Sequence, residues 1–123
     1  MKRDLDLIRN ILLRAEEQLP SENDLISSNF SDICPDRIKL FYHVDLLLDN
    51  HFIVGPRPLY SDNHPDEFII TRLTSSGCDY LDAVRSPTIW SETKKKLSAF
   101  GGSLALDIVK SIATETIKSY LAH

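Results

Sequence analysis

The segment Leu73-Thr74-Ser75-Ser76-Gly77-Cys78-Asp79-Tyr80-Leu81-Asp82-Ala83-Val84-Arg85 decides how this chain is read. It follows directly on the β-rich run Glu67-Phe68-Ile69-Ile70-Thr71-Arg72 and reads as a helix from about Thr74 to Val84. Two further helices follow it. One runs from about Pro87 to Phe100 with Ser86 as its cap, carrying Ile89-Trp90 and Lys94-Lys95-Lys96-Leu97. The other runs from Ser103, again a candidate cap, to Leu121 beyond Gly101-Gly102.

Upstream, Phe52-Ile53-Val54-Gly55 is a second β-rich run. The stretch between the two runs holds Pro56, Pro58, Asp62, Asn63 and Pro65, so the pair reads as a hairpin with a long loop. Before it, a helix is expected from Pro35 to Asp49. Pro35 suits the first helical position, Asp36 complements the positive end of the helix dipole, and Asn50 tolerates the left-handed conformation that stops a helix. At the amino end, Leu5, Ile8, Ile11, Leu12 and Ala15 share one side of a helix from Asp4 to about Gln18, which Pro20-Ser21-Glu22-Asn23 ends. The Ser-rich stretch from Asp24 to Cys34 reads as a short strand or turn with one helical turn. The expected class is α+β, mainly helical.

At 123 residues the chain fits one domain over 1–123, with a core of about 1–85 and a helical extension of about 86–123. An apolar fraction of 42% and a charged fraction of 26% exclude disordered and fibrous classes. The net charge of -4 argues against a protein whose main business is neutralising phosphates. Charges scattered through the first seventeen residues leave no apolar core for a signal peptide, and no run approaches the ~20 apolar residues of a membrane span. A soluble, cytoplasmic protein is expected. Cys34 and Cys78 lack C-x-x-C spacing and read as reduced thiols in or near the core.

The Leu-Thr-x-x-Gly-x-x-Tyr-Leu segment after a strand, preceded by a helix and a hairpin, resembles the closing helix of winged-helix domains. A wider set of motifs resembles one phage and prophage family. It comprises Met1 to Arg9, His43-Val44-Asp45-Leu46-Leu47-Leu48-Asp49, Leu73-Thr74 with Gly77, Leu81-Asp82-Ala83, Ile89-Trp90, and Thr93 to Leu97 through Gly101-Gly102-Ser103-Leu104. The family is filed as domain of unknown function 2513. The resemblance covers nearly the whole chain and implies a winged-helix-like domain with additional C-terminal helices, of phage or prophage origin. It supplies no catalytic residues. Ser75 and Cys78 depart from the pattern, where an aromatic and a His are expected.

In such a fold the helix before the wing reads DNA with its outward face. On the Asp36 to Asp49 helix, Leu40, Phe41, Val44, Leu47 and Leu48 cluster as the core side, leaving Ile38, Lys39, Tyr42, His43, Asp45, Leu46 and Asp49 opposite. A base-reading face wants Arg, Lys, Asn, Gln or Ser, and carboxylates facing phosphates cost affinity. Here Asp45 and Asp49 flank an apolar row at i, i+4 and i+8: Ile38, Tyr42 and Leu46. Two readings stand open. Either the C-terminal helices cover that row, or it is a partner-binding or dimer surface.

The DNA-binding alternative rests on Arg37, Lys39, Arg57 and Arg72 converging on one positive face, or on the run Lys94, Lys95, Lys96. Against the wing arginines stand Asp62, Asp66 and Glu67. The lysines suit the negative end of their own helix, and Trp90 reads as a packing anchor. The broad apolar band of the last helix, from Leu104 and Ile108 to Tyr120 and Leu121, raises the expectation of a homodimer.

No Gly-rich phosphate loop, nucleophile elbow or metal-ligand spacing is present in the sequence, and His43, His51 and His64 are scattered. The expectation is therefore a non-enzymatic protein without cofactor, metal or small-molecule ligand. It would bind a macromolecular partner, in the first place a protein, host-directed or anti-defence. A DNA-binding winged-helix transcriptional regulator is the alternative.

Overall fold

A computed structural model describes residues 1–122. The first helix, α1 (Leu5–Gln18), starts where the Asp4 side chain accepts the Leu7 N–H at 3.0 Å. That bond satisfies one of the amides a helix start leaves unpaired. Its apolar side is buried as the periodicity predicts, with Leu7 joining Leu5, Ile8, Ile11, Leu12 and Ala15.

The Ser-rich stretch forms a two-residue strand, β1 (Leu25–Ile26), and a 3-10 turn (Ser27–Phe30). The next helix, α2 (Arg37–Asp49), begins two residues later than expected. Pro35 lies outside it, and Asp36 is the cap itself, its carboxylate accepting the Lys39 N–H at 3.2 Å. The end differs too. Asn50 stays right-handed at φ -83°, and its side-chain amide donates back to the Leu46 carbonyl. The left-handed residue is His51, at φ 58°.

The region between α2 and the deciding segment is more elaborate than one hairpin with a loop. At its base, β2 (Ile53–Val54) pairs antiparallel with β6 (Arg72–Leu73), and β1 pairs antiparallel with β5 (Ile69–Ile70). The expected loop folds into its own hairpin, β3 (Leu59–Ser61) against β4 (His64–Glu67). Its turn residues Asp62 and Asn63 both have positive φ, at 51° and 66°. Two left-handed residues in a row match the right-handed twist of the flanking strands, and Asp and Asn tolerate that conformation best after Gly. Phe68 stacks edge-on against Phe41 at 5.0 Å between centroids, anchoring the base of this hairpin region to α2.

The deciding segment becomes α3 (Ser75–Val84), capped by Thr74, whose hydroxyl accepts the Gly77 N–H at 3.0 Å. The Thr74 N–H donates to the Phe52 carbonyl at 2.9 Å. The spacing of the motif now has a physical reason. One turn on, Gly77 lies so close to that same carbonyl that an added Cβ would sit 2.1 Å from it. Another turn on, the buried Tyr80 ring stacks on Phe52 with centroids 5.0 Å apart. Cap, glycine and tyrosine together press α3 onto Phe52 at the start of β2.

Ser86 caps α4 (Pro87–Ser98) as expected, accepting the Ile89 N–H at 3.3 Å. The last helix, α5 (Leu106–Leu121), starts two residues later than the Ser103 cap would place it, and its cap position, Ala105, makes no side-chain bond. Gly101 and Gly102, both at φ 85°, turn the chain first. Ser103 falls inside that connection. Both α4 and α5 pack on α3 and on each other, and α4 also meets α1 where the Trp90 indole N–H donates to Asp6 at 2.8 Å.

Candidate functional site

The outward face of α2 is the site the sequence singles out. Ile38 is 61% exposed, while Tyr42 and Leu46 are half-buried. The C-terminal helices gather on α3 instead, so the row begins in solvent. On the same helix His43, expected on this outward side, is fully buried. Its Nε2 accepts the Asp4 N–H at 2.8 Å, and its Nδ1 lies 2.8 Å from the Lys39 carbonyl. An accepting Nε2 leaves Nδ1 as the protonated nitrogen, so the ring is the neutral tautomer donating to Lys39. Burial lowers its pKa below the ordinary value of 6.5, with Lys39 reinforcing the effect and the carbonyl bond and Asp4 opposing it.

Beside the row, the β3–β4 hairpin is tied down on α2. Arg57, between β2 and β3, pairs with Asp49 at 2.8 Å and reaches Asp45 at 3.4 Å. The Tyr60 hydroxyl donates to the other oxygen of Asp45 at 3.3 Å, and its ring packs edge-on against Phe41. Burial, followed by the Asp45 charge, raises the Tyr60 pKa. From the other side, Arg37 donates to the Asp66 carbonyl at 2.7 Å and stacks over the Phe41 ring. Asp45 and Asp49 are spaced i, i+4 on one face, so the single guanidinium of Arg57 spans both.

The remaining candidate cations are dispersed. Lys39 pairs with Asp4 at 2.8 Å, and Arg72 donates to the adjacent Leu73 carbonyl. The three-lysine run does not form one patch. Lys94 pairs with Asp6 and lies over the Trp90 ring, Lys95 pairs with Glu92 on its own helix, and Lys96 donates to Thr116 on α5. Arg37 and Arg57 flank the β3–β4 hairpin, but both are engaged with it or with α2. The seven candidate DNA contacts therefore lie on several faces.

The α5 band divides. Leu106, Val109 and Ala113 are buried, whereas Ile108, Tyr120 and Leu121 are exposed on different sides. Ile89, Ile117, Tyr120 and Leu121 line an open, largely apolar groove of about 520 Å³ between the start of α4 and the end of α5. Sequence reasoning places Asp45 and Asp49 on this face but does not join them to Arg57, and it does not select Tyr60. The signal for the ion pairs is the i, i+4 carboxylate pair followed by an arginine across a strand. Among the described residues no helix is long and apolar enough to cross a membrane.

Residues 2–103 match the profile of a family described as "Hypothetical protein (DUF2513)". The chain belongs to this family. The match spans α1 to α4 and stops before α5. A protein of Haemophilus influenzae (strain Rd), described as uncharacterized, is 32% identical over 122 residues, covering 99% of this chain and 100% of its own. That similarity includes α5. No solved structure matches.

Proposed function

We propose that this DUF2513 member is a non-enzymatic, cytoplasmic accessory protein of phage or prophage type that acts by binding a protein through the outward face of α2. Its fold is read as a winged helix. Supporting that reading is the order of helix, short strand, helical turn, helix and hairpin, with the returning strand β5 pairing back onto β1.

One observation carries the functional reading: Arg57, the wing residue best placed to meet a phosphate, is spent on Asp45 and Asp49 of the would-be reading helix. A DNA-reading face needs free cations and amides there, and this one offers two carboxylates beside an exposed isoleucine. The test is a duplex-DNA titration at low and physiological salt, on the wild type and on an Arg57→Ala, Arg72→Ala double variant. No binding at low salt is expected. Binding that weakens steeply with salt and drops in the double variant would overturn the reading in favour of a DNA-binding regulator.

Self-association through α5 is the second mode of protein binding. The apolar groove bounded by Tyr120 and Leu121 favours it. Sedimentation of the wild type and of Leu121→Glu reads it directly, a dimer lost in the variant being the supporting outcome.

A further inference from the structure

The charge around the α2 surface restricts what can dock there. Residues 36–67 hold six carboxylates (Asp36, Asp45, Asp49, Asp62, Asp66 and Glu67) against three cations (Arg37, Lys39 and Arg57). That imbalance of -3 is most of the chain's net charge of -4. All three cations are already engaged inside the fold, on the Asp66 carbonyl, Asp4, and the Asp45 and Asp49 pair. Two of the carboxylates are engaged as well: Asp36 caps α2, and Glu67 accepts the Ser27 and Phe68 N–H groups. The other four divide unequally. Asp45 and Asp49 share one guanidinium, and Asp62 and Asp66 meet no lysine or arginine side chain within ion-pair distance among the described residues. Ile38 shares the outward face of α2 with Asp45 and Asp49, at i, i+7 and i+11.

We propose that the outward face of α2 and the adjoining β3–β4 hairpin dock a basic, amphipathic segment of a protein partner. That segment sets an aliphatic or aromatic side chain against Ile38 and Tyr42, and lysine or arginine against Asp49 and the hairpin carboxylates. An acidic partner meets a border with no free cation, which is a repulsive arrangement, and a purely apolar one leaves the carboxylates desolvated and unpaired. Apolar contact at Ile38 supplies the affinity, and the acidic border supplies orientation and association rate. The inference rests on the protein-binding reading of α2 given above and adds the chemistry of the partner.

A selection of displayed random peptides against the full-length protein tests it, followed by titration of the selected peptides against Ile38→Asp and Asp49→Lys. Both substitutions are at exposed positions, and thermal melts confirm that each variant stays folded. The expected result is peptides that combine Lys or Arg with Leu, Ile or Phe, bind less tightly as salt rises, and lose about 10-fold or more in affinity in either variant. Peptides that need Ile38 but carry no basic residues, or that ignore Asp49→Lys, overturn the basic partner and leave the α2 face as a protein-binding surface. Failure to select any peptide, or selection of peptides indifferent to both variants, overturns the docking surface itself. Displacement of the peptides by duplex DNA would overturn both readings.

Discussion

The Nε2 of His43 accepts the backbone N–H of Asp4 at 2.8 Å, so a buried ring on α2 holds the first residue before α1. Asp4 in turn pairs with Lys39, one turn before His43. The junction depends on a neutral imidazole and an ionised carboxylate, and acid removes both. Burial depresses the His43 pKa below 6.5, so the folded protein binds fewer protons there than the unfolded chain. The stability this contributes is complete above pH 6.5 and falls as pH drops from there through the folded-state value. Burial alone would raise the Asp4 pKa, but the Lys39 pair and the Leu7 amide outweigh it and hold it below 3.8. A second loss therefore opens below pH 3.8. Urea midpoints measured across pH should show both. His43→Phe should cost about 1–3 kcal/mol by leaving the Asp4 amide unpaired and should erase the upper step alone.

Gly77→Ala should be among the most damaging small substitutions in the chain. Its Cβ would lie 2.1 Å from the Phe52 carbonyl oxygen, a backbone atom fixed by its bond from the Thr74 N–H. Relief requires α3 to move off β2, a loss on the order of 3 kcal/mol. The exposed Ser75→Ala, two residues earlier on the same helix, should change the melting temperature little. Equal melts for the two variants would refute the close approach.

Much of the fold could be read locally because its signals are local. Asp4, Thr74 and Ser86 sit directly before apolar-periodic runs, and each caps a helix through its own side chain. Ser103 shows how that signal misleads. A good cap residue has no effect where two glycines in left-handed conformation have already set the chain direction. The burial of His43 was not readable, because its partner amide lies 39 residues away. The role of Arg57 is hidden for the same reason: in the sequence it stands only as a candidate phosphate contact on an otherwise acidic hairpin, and the carboxylates it pairs with are on another element. The row Ile38, Tyr42 and Leu46 was legible from periodicity, yet whether anything covers it depended on where α4 and α5 dock.

Arg57→Ala should separate the order of the β3–β4 hairpin from global stability. The ion pairs are largely exposed, and such pairs contribute about 1 kcal/mol or less, so the melting temperature should change little. The hairpin Leu59–Glu67 keeps Tyr60 and Arg37 as attachments but loses its link to Asp49. Amide hydrogen exchange should accelerate within that hairpin and stay unchanged in α1. A uniform acceleration across the chain would show that Arg57 supports the whole fold rather than the hairpin.

Tyr80 sets a different test, because it is fully buried and its hydroxyl has no hydrogen-bond partner among the described residues. Burial raises its pKa far above the ordinary value of 10.0, as expected for a phenol whose charged form has neither water nor a donor. The ring contributes its stacking on Phe52 and its apolar area, while the oxygen contributes only an unpaired, desolvated group. Tyr80→Phe keeps the first and removes the second, so it should stabilise the protein by about 1 kcal/mol. Tyr80→Leu discards the stacking as well and should destabilise it by a similar or larger amount. Denaturant midpoints of the two variants decide the matter. A Tyr80→Phe protein clearly less stable than wild type would mean that the hydroxyl makes a bond, and the packing of α3 on Phe52 would then rest on that bond as well as on the close approach of Gly77.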